Sequence, residues 1–157
     1  MASSKLTPSQ LYDVDYYAWV EDQARALREH QTEQVDWENV AEEIDDLAKG
    51  EERSMESHLE TLIEHLLKLA YAPAATRTRN TRQWRGTARL ARAKLRRRLD
   101  QSPRLRGKMR EFFAVAYEDG RTSMLARINV PETIVPAGPL WTLEEVLDDN
   151  FVPNRPD

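Results

Sequence analysis

The chain has 157 residues, of which 40% are hydrophobic and 32% are charged, a composition typical of one globular domain built from amphipathic helices. It contains no cysteine, which excludes disulfides, thiolate metal sites and cysteine nucleophiles. Residues 1–5 are not followed by an apolar run and no stretch approaches the length of a membrane span, so we expect a cytoplasmic protein without a signal peptide or membrane contact.

Positive and negative charges are segregated along the chain. Residues 36–65 hold eleven acids and two bases, whereas residues 77–110 hold fourteen bases and one acid. The overall net charge of −4 does not reveal this contrast. The pattern predicts an acidic helix followed in the sequence by a basic helix.

The first helix is expected to begin at Asp13 or Asp15, either of which can act as its N-cap, and to end near His30. Residues 1–12, before this helix, are expected to form a flexible or loosely docked lead-in. The two aspartates decide the boundary because a short oxygen-bearing side chain can accept a hydrogen bond from a free backbone N–H of the first turn.

The second helix is expected to begin after an N-cap at Asp36 and to end at Tyr71, before Ala72 and Pro73. A period of 3.6 residues places its apolar side chains on one stripe: Trp37, Val40, Ile44, Leu47, Met55, Leu62, Leu66 and Leu69. Its acids point broadly the other way: Glu38, Glu42, Asp45, Asp46, Glu52, Glu56, Glu60 and Glu64. A straight helix of this length spans about 54 Å, more than a compact domain of this size accommodates, so we expect an elongated molecule, a kink or a partner.

Three further segments complete the predicted fold. The third helix is expected over residues 81–101, after a loop at 72–80, and the fourth from the start signal at Ser102 and Pro103 to about Ile128. Residues 129–140 are expected to form an extended crossing, followed by a short helix over 143–149 that begins with a capping box at Thr142. In the C-terminal tail, residues 150–157, Phe151 and Val152 are expected to hold the chain down.

Taken together, the elements predict an all-α fold. It is an antiparallel helical bundle of about four main helices plus a short C-terminal helix, in a single domain over residues 1–157.

Several segments of the chain resemble the domain of unknown function 29 family. They are YD at residues 12–13, DYYAW at 15–19, DWENVAEEIDDL at 36–47, SHL at 57–59, HLLK at 65–68, AYED at 116–119 and WTLE at 141–144. The resemblance covers about residues 11–153. It implies a bacterial protein with a helical-bundle fold, and it brings no activity or catalytic residue with it.

Three polar residues interrupt the apolar stripe of the second helix: Glu51, His58 and His65. They are candidates for an acid–base or metal site. However, residues seven apart on a helix are displaced by about 10 Å along its axis, so the two histidines cannot readily share one ion. A site would need ligands from another helix, such as Asp13, Asp15 or Glu118. The alternative is that each histidine is half-buried and hydrogen-bonded to a neighbouring group. No metal site is therefore predicted.

The basic segment also has two interpretations. As a nucleic-acid surface it would use Arg85, Arg89, Arg92, Arg96 and Arg97 to neutralise phosphates. Alternatively, the basic helix lies along the acidic one and the charges compensate internally. The second interpretation is favoured by the short connection between the two helices and by the negative overall charge.

The chain has no recognisable catalytic set, and the leading hypothesis is a non-enzymatic helical module that contacts a protein partner or forms a homo-oligomer. This rests on the length of the second helix and on the wide apolar arc over residues 62–71. The alternatives are a nucleic-acid-binding protein that uses the arginine-rich third helix, and a metal-dependent enzyme that uses His58, His65 and carboxylates. No cofactor is predicted.

Overall fold

The computed structural model describes residues 6–154, and within them the protein is all-α. In chain order the helices are α1 (Pro8–Val14), α2 (Tyr16–Arg28), α3 (Trp37–Tyr71), α4 (Ala74–Leu99), α5 (Pro103–Arg127) and α6 (Leu143–Leu147). Two 3₁₀ turns lie at Thr32–Gln34 and Glu132–Ile134, and none of the described residues forms a strand. The predicted fold class, with long helices and a short C-terminal one, is confirmed.

Two compact units divide the chain, Met1–Gly50 and Glu51–Asp157. The first unit holds α1, α2 and the beginning of α3, and the second holds the rest of α3 with α4, α5 and α6. The single domain expected over residues 1–157 stays a prediction. None of the described helices combines the length and the apolar composition that a membrane crossing requires.

Most helix starts follow the predicted caps. The Asp15 side chain accepts from the backbone N–H of Ala18 at 3.0 Å and begins α2. The Asp36 and Ser102 side chains accept from the third residue of the helix that follows each of them. A capping box at Thr142 begins α6, which ends at Leu147 rather than at 149. These starts are predictable because a cap acts over only three residues.

The structure corrects two of the expected loops. Residues 8–14 of the expected lead-in form α1, which has its own capping box at Thr7, while residues 1–5 lie outside the described residues. The loop expected at 72–80 is also wrong, because α4 begins at Ala74. The side chains of Thr78, Asn80 and Thr81 donate to carbonyls four residues earlier, so their polar groups find partners within the helix itself.

The second unit has one hydrophobic core. On α3, the side chains of Leu59, Leu62, Ile63, Leu66 and Leu67 are almost completely buried, and they pack against buried side chains of α4, α5 and α6: Trp84, Leu95, Leu99, Met109, Tyr117, Met124, Leu143 and Val146. The ion pair of Arg98 with Glu51 and the position of Lys68 near Trp84 show that α4 runs antiparallel to α3. Pairs at the two ends of α5, Lys108 with Glu52 and Arg127 with Glu64, show that α5 returns parallel to α3.

The first unit has a much smaller core, formed by Trp19, Ala26 and Val35 with the buried amide of Gln23. Gln23 Oε1 accepts from the Asp36 N–H at 2.7 Å, and its Nε2 donates to the Gln34 carbonyl at 3.4 Å. This buried side chain therefore joins α2 to the start of α3.

The apolar stripe predicted on α3 is only partly buried. Met55, Leu62, Leu66 and Leu69 lie in the core of the second unit, as expected. In contrast, Trp37, Ile44 and Leu47 are 58%, 60% and 75% exposed. An apolar stripe is expected to be covered, but among residues 6–50 α2 packs mainly against α1 and the first 3₁₀ turn, so this half of the stripe stays exposed.

Candidate functional site

The three candidates on α3 do not form one site. Glu51 and His58 line the same pocket of about 410 Å³, together with Lys94 and Arg97 of α4. The Glu51 carboxylate is engaged there by the Arg98 guanidinium, at 2.7 Å and 3.0 Å. Burial, followed by the positive charge of Lys94, lowers the pKa of His58 below 6.5. The pocket thus holds a neutral imidazole beside a carboxylate that is already paired.

His65 lies outside that pocket. Its Nδ1 is 2.8 Å from the carbonyl oxygen of Thr61, which only accepts, so Nδ1 carries the proton. Burial is the largest cause of a pKa below 6.5 for this imidazole. Among the described residues, no group of three or more His, Asp or Glu side chains has a geometry suited to a metal ion.

Sequence reasoning missed a buried charge cluster beside His65. Glu64 was expected on the outer face of the helix, but its exposed fraction is only 4%. Lys68 is also buried, with an exposed fraction of 6%. Lys68 Nζ lies 2.6 Å from Glu64 Oε1, which also accepts from Arg127 of α5. Burial raises the pKa of Glu64, but the hydrogen bonds from Lys68 and Arg127 prevail and hold it below 4.5. The signal in the sequence was a Glu and a Lys four residues apart within an apolar segment.

Two of the five arginines proposed to contact phosphates are bound to the C-terminal segment. Arg92 is 4% exposed; its Nε donates to the Val146 carbonyl at 2.8 Å and its Nη2 to the Phe151 carbonyl at 3.3 Å. Arg96 forms an ion pair with Asp149. Within residues 6–154, two ion pairs join the basic segment to acidic α3: Arg98 with Glu51 and Lys108 with Glu52.

The other three arginines, Arg85, Arg89 and Arg97, are exposed. Arg85 and Arg89 line a groove between α4, the end of α3 and residues 149–152, with a volume of about 630 Å³. We call it the α4 groove. Arg82 and Arg92 also line it, and its apolar wall includes Leu66, Leu69, Ala88 and Phe151. Phe151 packs edge-on against Trp141, with ring centroids 5.6 Å apart. Val152, expected to hold the tail down, is 47% exposed.

A second surface lies in the first unit, on the beginning of α3. It consists of Trp37, Val40, Ile44 and Leu47, spaced by three and four residues, and we call it the α3 seam. Val40 is half-buried and the other three are exposed. The hydroxyls of Tyr12 and Tyr16 donate to the two oxygens of Glu43, at 2.8 Å and 2.7 Å. The hydrogen bond to Glu43 is the largest cause that raises the pKa of Tyr12 to about 12.

Comparison with known proteins identifies one family. A family model described as "Domain of unknown function DUF29" matches residues 11–152, nearly the whole chain. No curated protein and no solved structure gives a match.

Proposed function

The chain belongs to the DUF29 family, a domain of unknown function, and from its surfaces we propose that it is a non-enzymatic protein-interaction module of the bacterial cytoplasm. The observation that carries the proposal is the α3 seam. Three large apolar side chains at helical spacing are each more than half exposed. Contiguous apolar surface of this kind marks an interaction site in a folded protein.

The spacing of the seam suits a helical partner. Positions 37, 40, 44 and 47 are separated by three, four and three residues, which is the a and d spacing of a heptad. A helix with the same spacing can pack its own apolar side chains between these. The ring of Trp37 adds a large side chain of the type enriched in interface hot spots.

The charges around the seam favour a basic partner. Residues 36–50 hold six acids and one base, Lys49, which is paired with Asp46. Two copies of the seam packed against each other would bring these acids face to face, and like charges at an interface are unfavourable. We therefore infer that the occupant is an amphipathic helix with lysines or arginines beside its apolar stripe.

Binding of designed peptides tests this proposal. We expect a peptide of about 20 residues with leucine at a and d and lysine elsewhere to bind, and a matched peptide with glutamate in place of lysine not to bind. The double substitution Ile44→Ser and Leu47→Ser should weaken binding by about tenfold or more, since a buried aliphatic side chain contributes about 1.5–3 kcal/mol. The control is Leu90→Ser, at another exposed leucine. Equal binding of both peptides would refute the proposal, and light scattering would reveal self-association instead.

The two alternative functions have weaker support. Nucleic-acid binding keeps Arg85, Arg89 and Arg97 as exposed candidates, whereas Arg92 and Arg96 already bind the C-terminal segment. It predicts binding to single or double strands that weakens steeply with salt. A metal-dependent enzyme would need ligands beyond Glu51 and His58, and a rise in melting temperature with added zinc, manganese or iron would support it.

A further inference from the structure

We propose that the α4 groove binds a small amphiphilic anion, with a carboxylate or phosphate head on the arginines and an apolar body against Phe151 and Val152. This site is separate from the α3 seam and does not depend on the function proposed above. The groove has a volume of about 630 Å³, within the range of small-molecule sites.

The strongest reason is the unbalanced charge of Arg92. This guanidinium is almost fully buried, yet both of its hydrogen-bond acceptors are neutral carbonyls. Within the described part of the chain, no carboxylate lies at ion-pair distance from it: Asp149, which also lines the groove, and Asp148 act on it from farther away, and Asp149 is itself paired with Arg96. A buried charge is costly unless an opposite charge accompanies it, and an anion in the groove would supply one.

The arginines on the rim reinforce the positive charge. Arg82, Arg85, Arg89 and Arg92 follow one another at intervals of three, four and three residues, so they share one face of α4, and all four line the groove. The first three are exposed, and none of them forms an ion pair with any residue between 6 and 154. Their planar guanidinium groups are suited to bidentate contact with carboxylate or phosphate oxygens.

The floor of the groove explains why the ligand should also be apolar. Leu66 and Leu69 come from the end of α3, and the Phe151 ring is supported by Trp141. An inorganic ion would not use the half-buried Phe151 or the exposed Val152 on the groove wall, whereas a neutral hydrocarbon would leave the arginines without a counter-charge. Stacking of nucleic-acid bases is disfavoured because Trp84, the tryptophan of α4, is 6% exposed.

Calorimetric titration of the whole chain tests the site with defined probes. We expect octyl phosphate or octanoate to bind, and comparison of the two identifies the head group. Inorganic phosphate and octanol should each bind at least about tenfold more weakly than the better amphiphile, because each uses half of the site. Failure of both amphiphiles to bind, or binding of octanol as tight as theirs, would overturn the proposal.

Matched double variants locate the site. Arg85→Gln with Arg89→Gln should weaken binding by about tenfold or more, while Arg97→Gln with Arg104→Gln, which removes the same charge outside the groove, should change it by less than about twofold. Because all four side chains are exposed, melting temperatures should stay close to that of the unmodified chain. Equal losses in the two variants would show that general charge is responsible and would refute the site. The site would also be refuted by an oligonucleotide that binds more tightly than the amphiphiles and loses the same affinity in the two double variants.

Discussion

Addition of a single methyl group at Gly120 tests the packing of α5 against α3. Gly120 is buried, and it has an ordinary helical φ, so its small size rather than its backbone freedom matters here. A Cβ at this position would lie 3.0 Å from the Glu60 carbonyl oxygen, 3.0 Å from Ile63 Cγ2 and 3.1 Å from the Glu64 nitrogen. Two of these three atoms belong to the backbone of α3, so a rotamer change cannot relieve the contacts and the helices must move apart.

The free energy of unfolding of Gly120→Ala follows from two opposing effects. Overpacking of a well-packed core costs about 1–3 kcal/mol, whereas replacement of a helical glycine by alanine gains about 0.5–1 kcal/mol. We therefore expect a net loss of about 0–2.5 kcal/mol.

Gly107→Ala is the matched control, since it lies on the same helix and a Cβ there meets no atom within 4 Å. This variant should gain about 0.5–1 kcal/mol, so the two substitutions should differ by about 1–3 kcal/mol. Urea unfolding followed by far-ultraviolet circular dichroism measures both. If Gly120→Ala proves as stable as Gly107→Ala, the close approach of α3 and α5 is wrong.

Three further substitutions test the buried polar groups. Glu64→Gln leaves the buried Lys68 without its counter-charge and should cost about 3 kcal/mol, the low end for breaking a buried pair, because the amide oxygen still accepts a hydrogen bond. Because the pKa of Glu64 is below 4.5 in the folded chain, its ionised carboxylate stabilises the fold fully above pH 4.5, and this stabilisation is lost as the pH falls through the folded-state pKa. The stability of Glu64→Gln should lack this part of the pH dependence. The pKa of His65 is below 6.5 in the folded chain, so the unfolded chain takes up the proton first as the pH drops. The free energy of unfolding should therefore fall below pH 6.5, and it should fall less steeply in His65→Asn. Gln23→Ala removes the acceptor of the Asp36 N–H, and the protection of the Asp36 amide against hydrogen exchange should fall by about 1–3 kcal/mol.

Exposed residues of the same type provide the controls. Glu118→Gln and Gln83→Ala change side chains that are in contact with solvent, and each should alter stability by less than about 0.5 kcal/mol. A loss in Glu118→Gln equal to that in Glu64→Gln would contradict the buried cluster. Unchanged exchange of the Asp36 amide in Gln23→Ala would contradict the contact between α2 and the start of α3.

The candidate sites were only partly predictable from the sequence. The nucleic-acid interpretation singles out Arg85 and Arg89 for phosphate contacts, and they line a groove, but Phe151 on its apolar wall comes from the C-terminal segment, which is distant from α4 in the sequence. The expectation that α3 would neutralise α4 was based on their adjacency in the sequence. It overlooked the C-terminal segment, where Asp149 binds Arg96.

What the sequence by itself determined is where most helices begin and which residues share a face. Caps at Asp15, Asp36, Ser102 and Thr142 act on atoms three residues away, and a helical period relates residues within one or two turns. Only the tertiary structure decided which faces are covered and which charges are paired. The Arg92 guanidinium donates to carbonyls 54 and 59 residues away in the chain. No local sequence pattern near Arg92 indicates which distant segment packs against it.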